Sequence, residues 1–165
     1  MIIEDIAFSP HSCAPGWYAA AVRGENAEPV EADALRIQRS AMKKGYFSVC
    51  GLLDEESGYR IFLVPSSDVV AVVRVFEVGK HAADYDPDAH DLAVREIEAV
   101  QERYPLIPFF ADSAGFKARF AGAVSEELIT FLESALSSAE SMMDDNDGSI
   151  ADYVRIQKGI HLWWD

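Results

Sequence analysis

Six of the eleven residues from His81 to Asp91 (His81, Asp84, Asp86, Asp88, His90 and Asp91) carry an imidazole or a carboxylate, the densest metal-competent stretch of the chain. Imidazole nitrogen and carboxylate oxygen together suit zinc or another divalent cation, and a catalytic site needs three such ligands with one position open. His81, Asp84 and His90 are the candidate ligand set. Helix initiation competes for the same stretch. Asp86 fits an N-cap, Pro87 the first helical position, and Asp88 and Asp91 the positive end of the helix dipole. Asp91 also stands four residues before Arg95, the spacing of a helical ion pair. Capping explains these four residues but neither histidine. The expectation is therefore no cofactor, with a divalent metal as the alternative.

Two other clusters are weaker. Asp145-Asn146-Asp147-Gly148 suggests a calcium loop, but setting Gly148 at position 6 puts Met143 at position 1 and Val154 at position 12. An EF-hand needs carboxylates at both, so the motif is rejected. His11 and Cys13 share a proline-bounded loop, yet no adjacent cation would lower the thiol pKa, and a structural cysteine is the simpler reading. The chain has no Gly-x-Gly-x-x-Gly, no phosphate-binding loop ending in Gly-Lys-Ser/Thr, no His-Glu-x-x-His, no Gly-x-Ser-x-Gly and no Cys-x-x-Cys. The commonest nucleotide-binding, zinc-protease and serine-hydrolase readings lose their basis.

Charge is the stronger signal. There are 28 acidic residues against 14 basic ones, a net −14. Such a field repels nucleic acid and anionic membrane and favours basic partners or cations. Glu126, Glu133 and Glu140 recur every seven residues, which on one helix would form an exposed stripe. Successive carboxylates would stand about 10.5 Å apart along the axis. That is too sparse to copy DNA phosphates, which rise roughly 3.4 Å apart on each strand. The stripe could still steer a basic protein. Trp163 and Trp164, almost the last residues of the chain, either dock into the core or anchor a partner. Together with a strand edge near Pro108 they make a homodimer a candidate.

These side chains need elements to hold them. Ile2–Phe8 and Trp17–Arg23 are strand-like, with a Pro- and Gly-containing loop between. Val30–Lys44 is helical: acidic residues first, basic residues last, Gly45 at the C-terminal end. Tyr46–Leu53, Tyr59–Val64 and Val69–Val78 are β-branched and aromatic runs with short turns between them, which predicts an antiparallel meander over residues 46–78. The period of Ala89, Leu92, Ala93, Ile97, Val100 and Tyr104 predicts a helix over 88–104. Leu106–Ala111 adds a strand, at an edge because of Pro108. A short helix through Ala121 is expected next, with Phe116 and Phe120 inward, then a longer one from Ser125 to about Met143. The tail from Ile150 to Trp164 is expected to form a hairpin turning at Lys158-Gly159.

The expected fold is thus α+β, a single domain over residues 1–165 with a central antiparallel sheet and helices mainly on one face. Two cysteines are too few for a disulfide scaffold, the N-terminus lacks the basic region of a secretory signal, and no run approaches the roughly 20 apolar residues that span a bilayer. A cytoplasmic location is expected. The leading functional expectation is an acidic, non-catalytic protein-binding protein of the inhibitor, immunity or chaperone kind. A metal-dependent enzyme built on residues 81–91 is one alternative. A small-molecule-binding module with a pocket lined by Phe47, Tyr59 and Trp17 is the other.

Overall fold

A computed structural model of the chain describes residues 1–84, 86–136, 140–141 (backbone only) and 149–164. The elements run β1 (Ile2–Ile3), β2 (Ile6–Pro10), β3 (Tyr18–Ala20), α1 (Ala27–Met42), β4 (Tyr46–Gly51), β5 (Arg60–Pro65), α2 (Val69–Val75) and a 3₁₀ turn, Lys80–Ala82. They continue with α3 (Ala89–Arg103), β6 (Leu106–Ala111), β7 (Gly115–Phe120), α4 (Glu126–Ala135), β8 (Glu140–Ser141), α5 (Ile150–Gln157) and β9 (Gly159–Trp163). The fold is α+β. Its sheet has the order β1-β2-β3-β5-β4-β6-β7-β9-β8, and every pairing is antiparallel except β4 with β6.

Alternation along each strand sends neighbouring side chains to opposite faces. On one face Val49, Phe62, Val64, Phe116, Ala118 and Leu162 meet the buried sides of α2, α3, α4 and α5. On the other, Cys50, Ile61, Leu63 and Phe110 meet Ala34, Ile37 and Ala41 of α1. Helices therefore do lie mainly on one face, with α1 alone on the other.

Four expectations are corrected. The run Val69–Val78 is not the third strand of a meander; residues 69–75 form α2. A continuous apolar run satisfies helical and strand periods alike, and here Val69, Val72 and Val73, at helical spacing, are the buried set. The expected helix through Ala121 is strand β7 instead, because Phe116, Ala118 and Phe120 alternate with Lys117 and Arg119. The helix begun at Ser125 stops at Ala135, not near Met143, while its N-cap is as expected: the Leu128 N–H donates to Ser125 Oγ at 3.2 Å. The tail is a helix followed by a strand, not a hairpin. Its turn does fall at Lys158-Gly159: Lys158 is left-handed at φ 58°, and a Cβ on Gly159 would sit 2.2 Å from the Ala118 carbonyl oxygen. Only glycine lets β9 approach β7 there.

Strand β6 is a fifth correction, since it runs inside the sheet between β4 and β7 despite Pro108. Proline cannot donate to a ladder, and β4 and β6 pair only at Cys50–Phe110 and Gly51–Ala111. Where the two strands separate, Gln38 of α1 replaces the ladder. Its Nε2 donates to the Ser48 and Pro108 carbonyls at 3.2 and 3.0 Å, and its Oε1 accepts the Ser48 N–H at 2.8 Å.

Candidate functional site

The α1 side of the sheet carries a polar seam. Glu31 and Gln38 stand seven residues apart on α1, two turns, so both face the sheet. Lys117 and Arg119 project to this side because their neighbours Phe116, Ala118 and Phe120 are buried on the other. Lys117 Nζ lies 2.8 Å from Glu31 Oε2, in a pair whose side chains are 24 % and 17 % exposed, and 4.9 Å from the centre of the Phe110 ring. Directly opposite Lys117 in the β7–β9 register stands His161. A cavity of about 200 Å³ opens between these elements, lined by Glu31, Lys117, Arg119, Tyr153, Gln157 and His161 among others.

His161 is only 8 % exposed, and its Nε2 has no hydrogen-bond partner among the described residues. Burial, and secondarily the Lys117 charge, push its pKa down to about 4, so the imidazole is neutral at neutral pH. Burial, helped by Glu31, raises the Tyr153 phenol, which therefore keeps its proton. The guanidinium of Arg119 lies 5.6 Å from the Phe109 ring centre and meets no carboxylate among the described residues. Cys50, on the same side, is pushed up to about 12 by burial and then by Glu31, so it is no nucleophile.

A second concavity lies beside the β4–β5 turn. Asp54 closes that turn by accepting from the Ser57 N–H at 2.7 Å and the Ser57 hydroxyl at 2.6 Å, and these bonds hold its carboxyl below the usual range. The cleft, about 540 Å³, is lined by Arg23, Glu25, Leu52, Glu55, Glu56 and Tyr59 among others. Its back is held by paired backbone bonds between Gly24 and Tyr59 at 2.9 and 2.8 Å. The Tyr59 hydroxyl donates to Asp112 Oδ2 at 3.2 Å, and Asp112 Oδ1 accepts the Ala114 and Gly115 N–H groups at 2.9 and 2.8 Å. Burial first, then Asp112, raises the Tyr59 phenol to about 12. Both partners are thus spoken for, and Glu25, Glu55 and Glu56 face solvent.

The residues singled out by type and spacing fare differently. His81 is exposed on the 3₁₀ turn, Asp84 is exposed beyond it, and His90 is half-buried on α3 with Nδ1 2.7 Å from the Val78 carbonyl oxygen. Among the described residues no group of three His, Cys, Asp or Glu side chains is placed to hold a metal, so these three are not gathered into a ligand set. His90 has a local task instead, tying α3 to the chain after α2. The N-cap of α3 is Asp88 and not Asp86, with Pro87 before the helix; Asp86 still supports the start by accepting the Asp88 N–H at its Oδ1 at 3.1 Å. The rejected calcium loop, residues 145–148, lies outside the described residues.

The acidic stripe is corrected. Glu126 and Glu133 are exposed on α4, but the helix has ended before Glu140, which belongs to β8 opposite Trp163 and whose side chain lies outside the described residues. Glu126 is already held by Arg155, whose Nη2 donates to its two oxygens at 3.0 and 2.8 Å. Trp164 is 3 % exposed within the core, which removes it as a surface anchor; Trp163 is half-buried, its ring 6.5 Å from that of His161. Of the features that suggested self-association, β6 is internal and Trp164 is buried, while Trp163 stays half-buried. Phe47 and Trp17 are core residues at 7 % and 1 % exposure, whereas Tyr59 lines the cleft beside the β4–β5 turn. The Cys13 thiol is raised by burial, consistent with a structural role.

Lys117, His161 and the 54–58 turn were passed over by pattern reasoning. A signal existed for one of them: the alternation Phe116-Lys117-Ala118-Arg119-Phe120 marks a strand that puts two cations on one face. Nothing in the order of residues places His161 beside them. No family model matches this chain, no similar characterised protein is found, and no solved structure matches its fold.

Proposed function

We propose that this chain is a non-catalytic protein-binding protein, of the inhibitor, immunity or chaperone kind, whose acidic surface engages a basic partner. The observation that carries this reading is the cleft at the β4–β5 turn, where Glu25, Glu55 and Glu56 line an opening of about 540 Å³ against one cation, Arg23. A lysine or arginine from a partner fits such a cleft in both its parts: the charged head meets carboxylates and the aliphatic stem lies along Leu52 and Tyr59. Several of the chain's own cations are already balanced. Arg36 binds Glu4, Asp5 and Asp33, Lys117 binds Glu31, and Arg155 binds Glu126 and Asp152. The remaining carboxylate excess faces outward, where it accelerates encounter with positive surfaces.

Affinity capture followed by titration of the purified captured protein at rising salt tests the proposal. Affinity is expected to fall steeply with salt. The triple variant E25K/E55K/E56K should weaken it by at least about 100-fold, since close interfacial charge pairs couple by about 1.5–7 kcal/mol. A control, E127K/E133K on α4, should change it by less than about threefold, as rim charges contribute little. Binding that ignores both salt and the cleft reversal would remove the reading.

A further inference from the structure

We propose that the cleft where β2 and β3 part beside α1 is a binding site for a small organic amine. Its apolar body would sit against Val22, Val30 and Ile61, and its ammonium group on the carboxylates of Asp5 and Asp33. This cleft is distinct from the one at the β4–β5 turn, and the inference does not depend on the protein-binding reading.

The path of the chain makes the cleft. Strand β3 pairs with β2 as far as Ala20 and with β5 as far as Ala19. The chain next pairs at the isolated bridge of Gly24 with Tyr59. Between these points residues 21–23 leave the sheet, and Arg60 takes up the Ala20 carbonyl, its Nε donating at 2.9 Å. The gap opens into a cavity of about 440 Å³, bounded by Ile6, Ala20, Val22, Val30 and Ile61 among others. Small-molecule sites span roughly 300–1,000 Å³ and are mostly apolar, with a few placed polar groups. Val22 is 76 % exposed on the wall, apolar surface that a ligand's body would cover.

The polar groups gather at one end. Val30, Asp33 and Arg36 follow one another along α1 at three-residue spacing, about 4.5 Å apart along the axis, so the lining turns from apolar to charged. Arg36 Nε bonds Asp33 Oδ1 at 3.1 Å, and its Nη1 bonds Asp5 Oδ1 at 3.1 Å and Glu4 Oε2 at 2.8 Å. Asp5 and Asp33 therefore converge on one guanidinium while both line the cavity. Three carboxylates against one cation leave this end negative. Arg36 engages one oxygen of each aspartate, and an ionised carboxylate has about four acceptor sites, so each can accept again. Bonds from its own backbone N–H and from Arg36 hold the Asp5 carboxyl below the usual range, so it is ionised at neutral pH.

That chemistry selects the ligand. An anion would meet a guanidinium already enclosed by three carboxylates. A bare metal ion finds no group of three ligating side chains placed to hold it among the described residues. A cation that carries apolar surface satisfies both ends: the ammonium donates to the aspartates and the hydrocarbon leaves water.

Titration of the full chain with phenethylamine, phenethyl alcohol and phenylacetate, each up to about 10 mM, tests this, because the three share one ring and differ in charge. The readout is the methyl signals of Val22, Val30 and Ile61 in ¹H–¹³C spectra. Saturable shifts with the amine are expected, with the alcohol at least about threefold weaker and phenylacetate weaker still. Asp5 and Asp33 have side chains 75 % and 54 % exposed, and Glu4 still holds Arg36, so the variant D5N/D33N should fold. It should weaken the amine by about threefold or more and leave the alcohol unchanged. No saturable shift with the amine, an alcohol or phenylacetate that binds as tightly as the amine, or undiminished amine affinity in D5N/D33N would overturn the inference.

Discussion

The two faces of the sheet are built on different rules. Towards α2, α3, α4 and α5 the contacts are mainly apolar, Val49, Phe62, Phe116 and Leu162 against Val72, Ile97 and Leu132, with Glu96 of α3 and the ring nitrogens of Trp17 and Trp164 buried among them. Towards α1 the apolar contacts are interrupted by buried polar groups, Ser48, Asp112 and His161. Ser48 donates its hydroxyl to the Ala34 carbonyl at 2.6 Å, and Asp112 is fully bonded, but His161 Nε2 is not. An apolar face supplies stability through area and needs only the right volumes. A polar face must satisfy each group individually.

Truncating the apolar face should give the largest effect. Phe116→Ala empties fully buried volume between sheet and helices and should cost about 3–5 kcal/mol, read as a lower urea midpoint. A loss under about 1 kcal/mol would mean this face is not the principal core.

The polar face should respond to pH. His161 has a folded pKa of about 4 against 6.5 for an ordinary histidine. The unfolded chain therefore binds a proton that the folded chain refuses. This contribution to stability is complete above about pH 6.5 and is lost as pH falls towards 4, by about 3 kcal/mol in total. Carboxylates also titrate in this range, so the measure is the difference between wild type and His161→Gln in denaturation between about pH 7 and 4. Parallel curves for the two proteins would show that His161 is not held neutral.

A smaller change should distinguish the two faces most sharply. Gln38→Leu keeps the apolar bulk but strips the Ser48 N–H and the Ser48 and Pro108 carbonyls of their partner. The expected cost is about 1–3 kcal/mol, with faster amide exchange at Ser48. Unchanged stability and exchange would mean the gap between β4 and β6 needs no stitch.

Much of the architecture was legible in local chemistry. Helix α1 and its Gly45 end, α3 after its run of aspartates, and the Ser125 cap all follow from dipole, capping and period, which act within one or two turns. Two of the misreadings share one cause. Val69–Val75 and Gly115–Phe120 each carry apolar residues compatible with both helical and strand spacing, and neighbours elsewhere in the fold decide which pattern is buried. Pro108 misled for a related reason, since the side chain that bonds its carbonyl and Ser48 of β4, Gln38, comes from α1, 70 residues away.

The residues by themselves determined an acidic surface, an α+β fold and the absence of the commonest catalytic signatures, because charge and periodicity are local and additive. Only the folded chain decided that no three His, Cys, Asp or Glu side chains gather around His81 and His90 among the described residues, that the glutamate stripe breaks before Glu140, and that His161 stands opposite Lys117. Those outcomes depend on strand register and on helix ends set by tertiary burial, quantities that no short window of sequence contains.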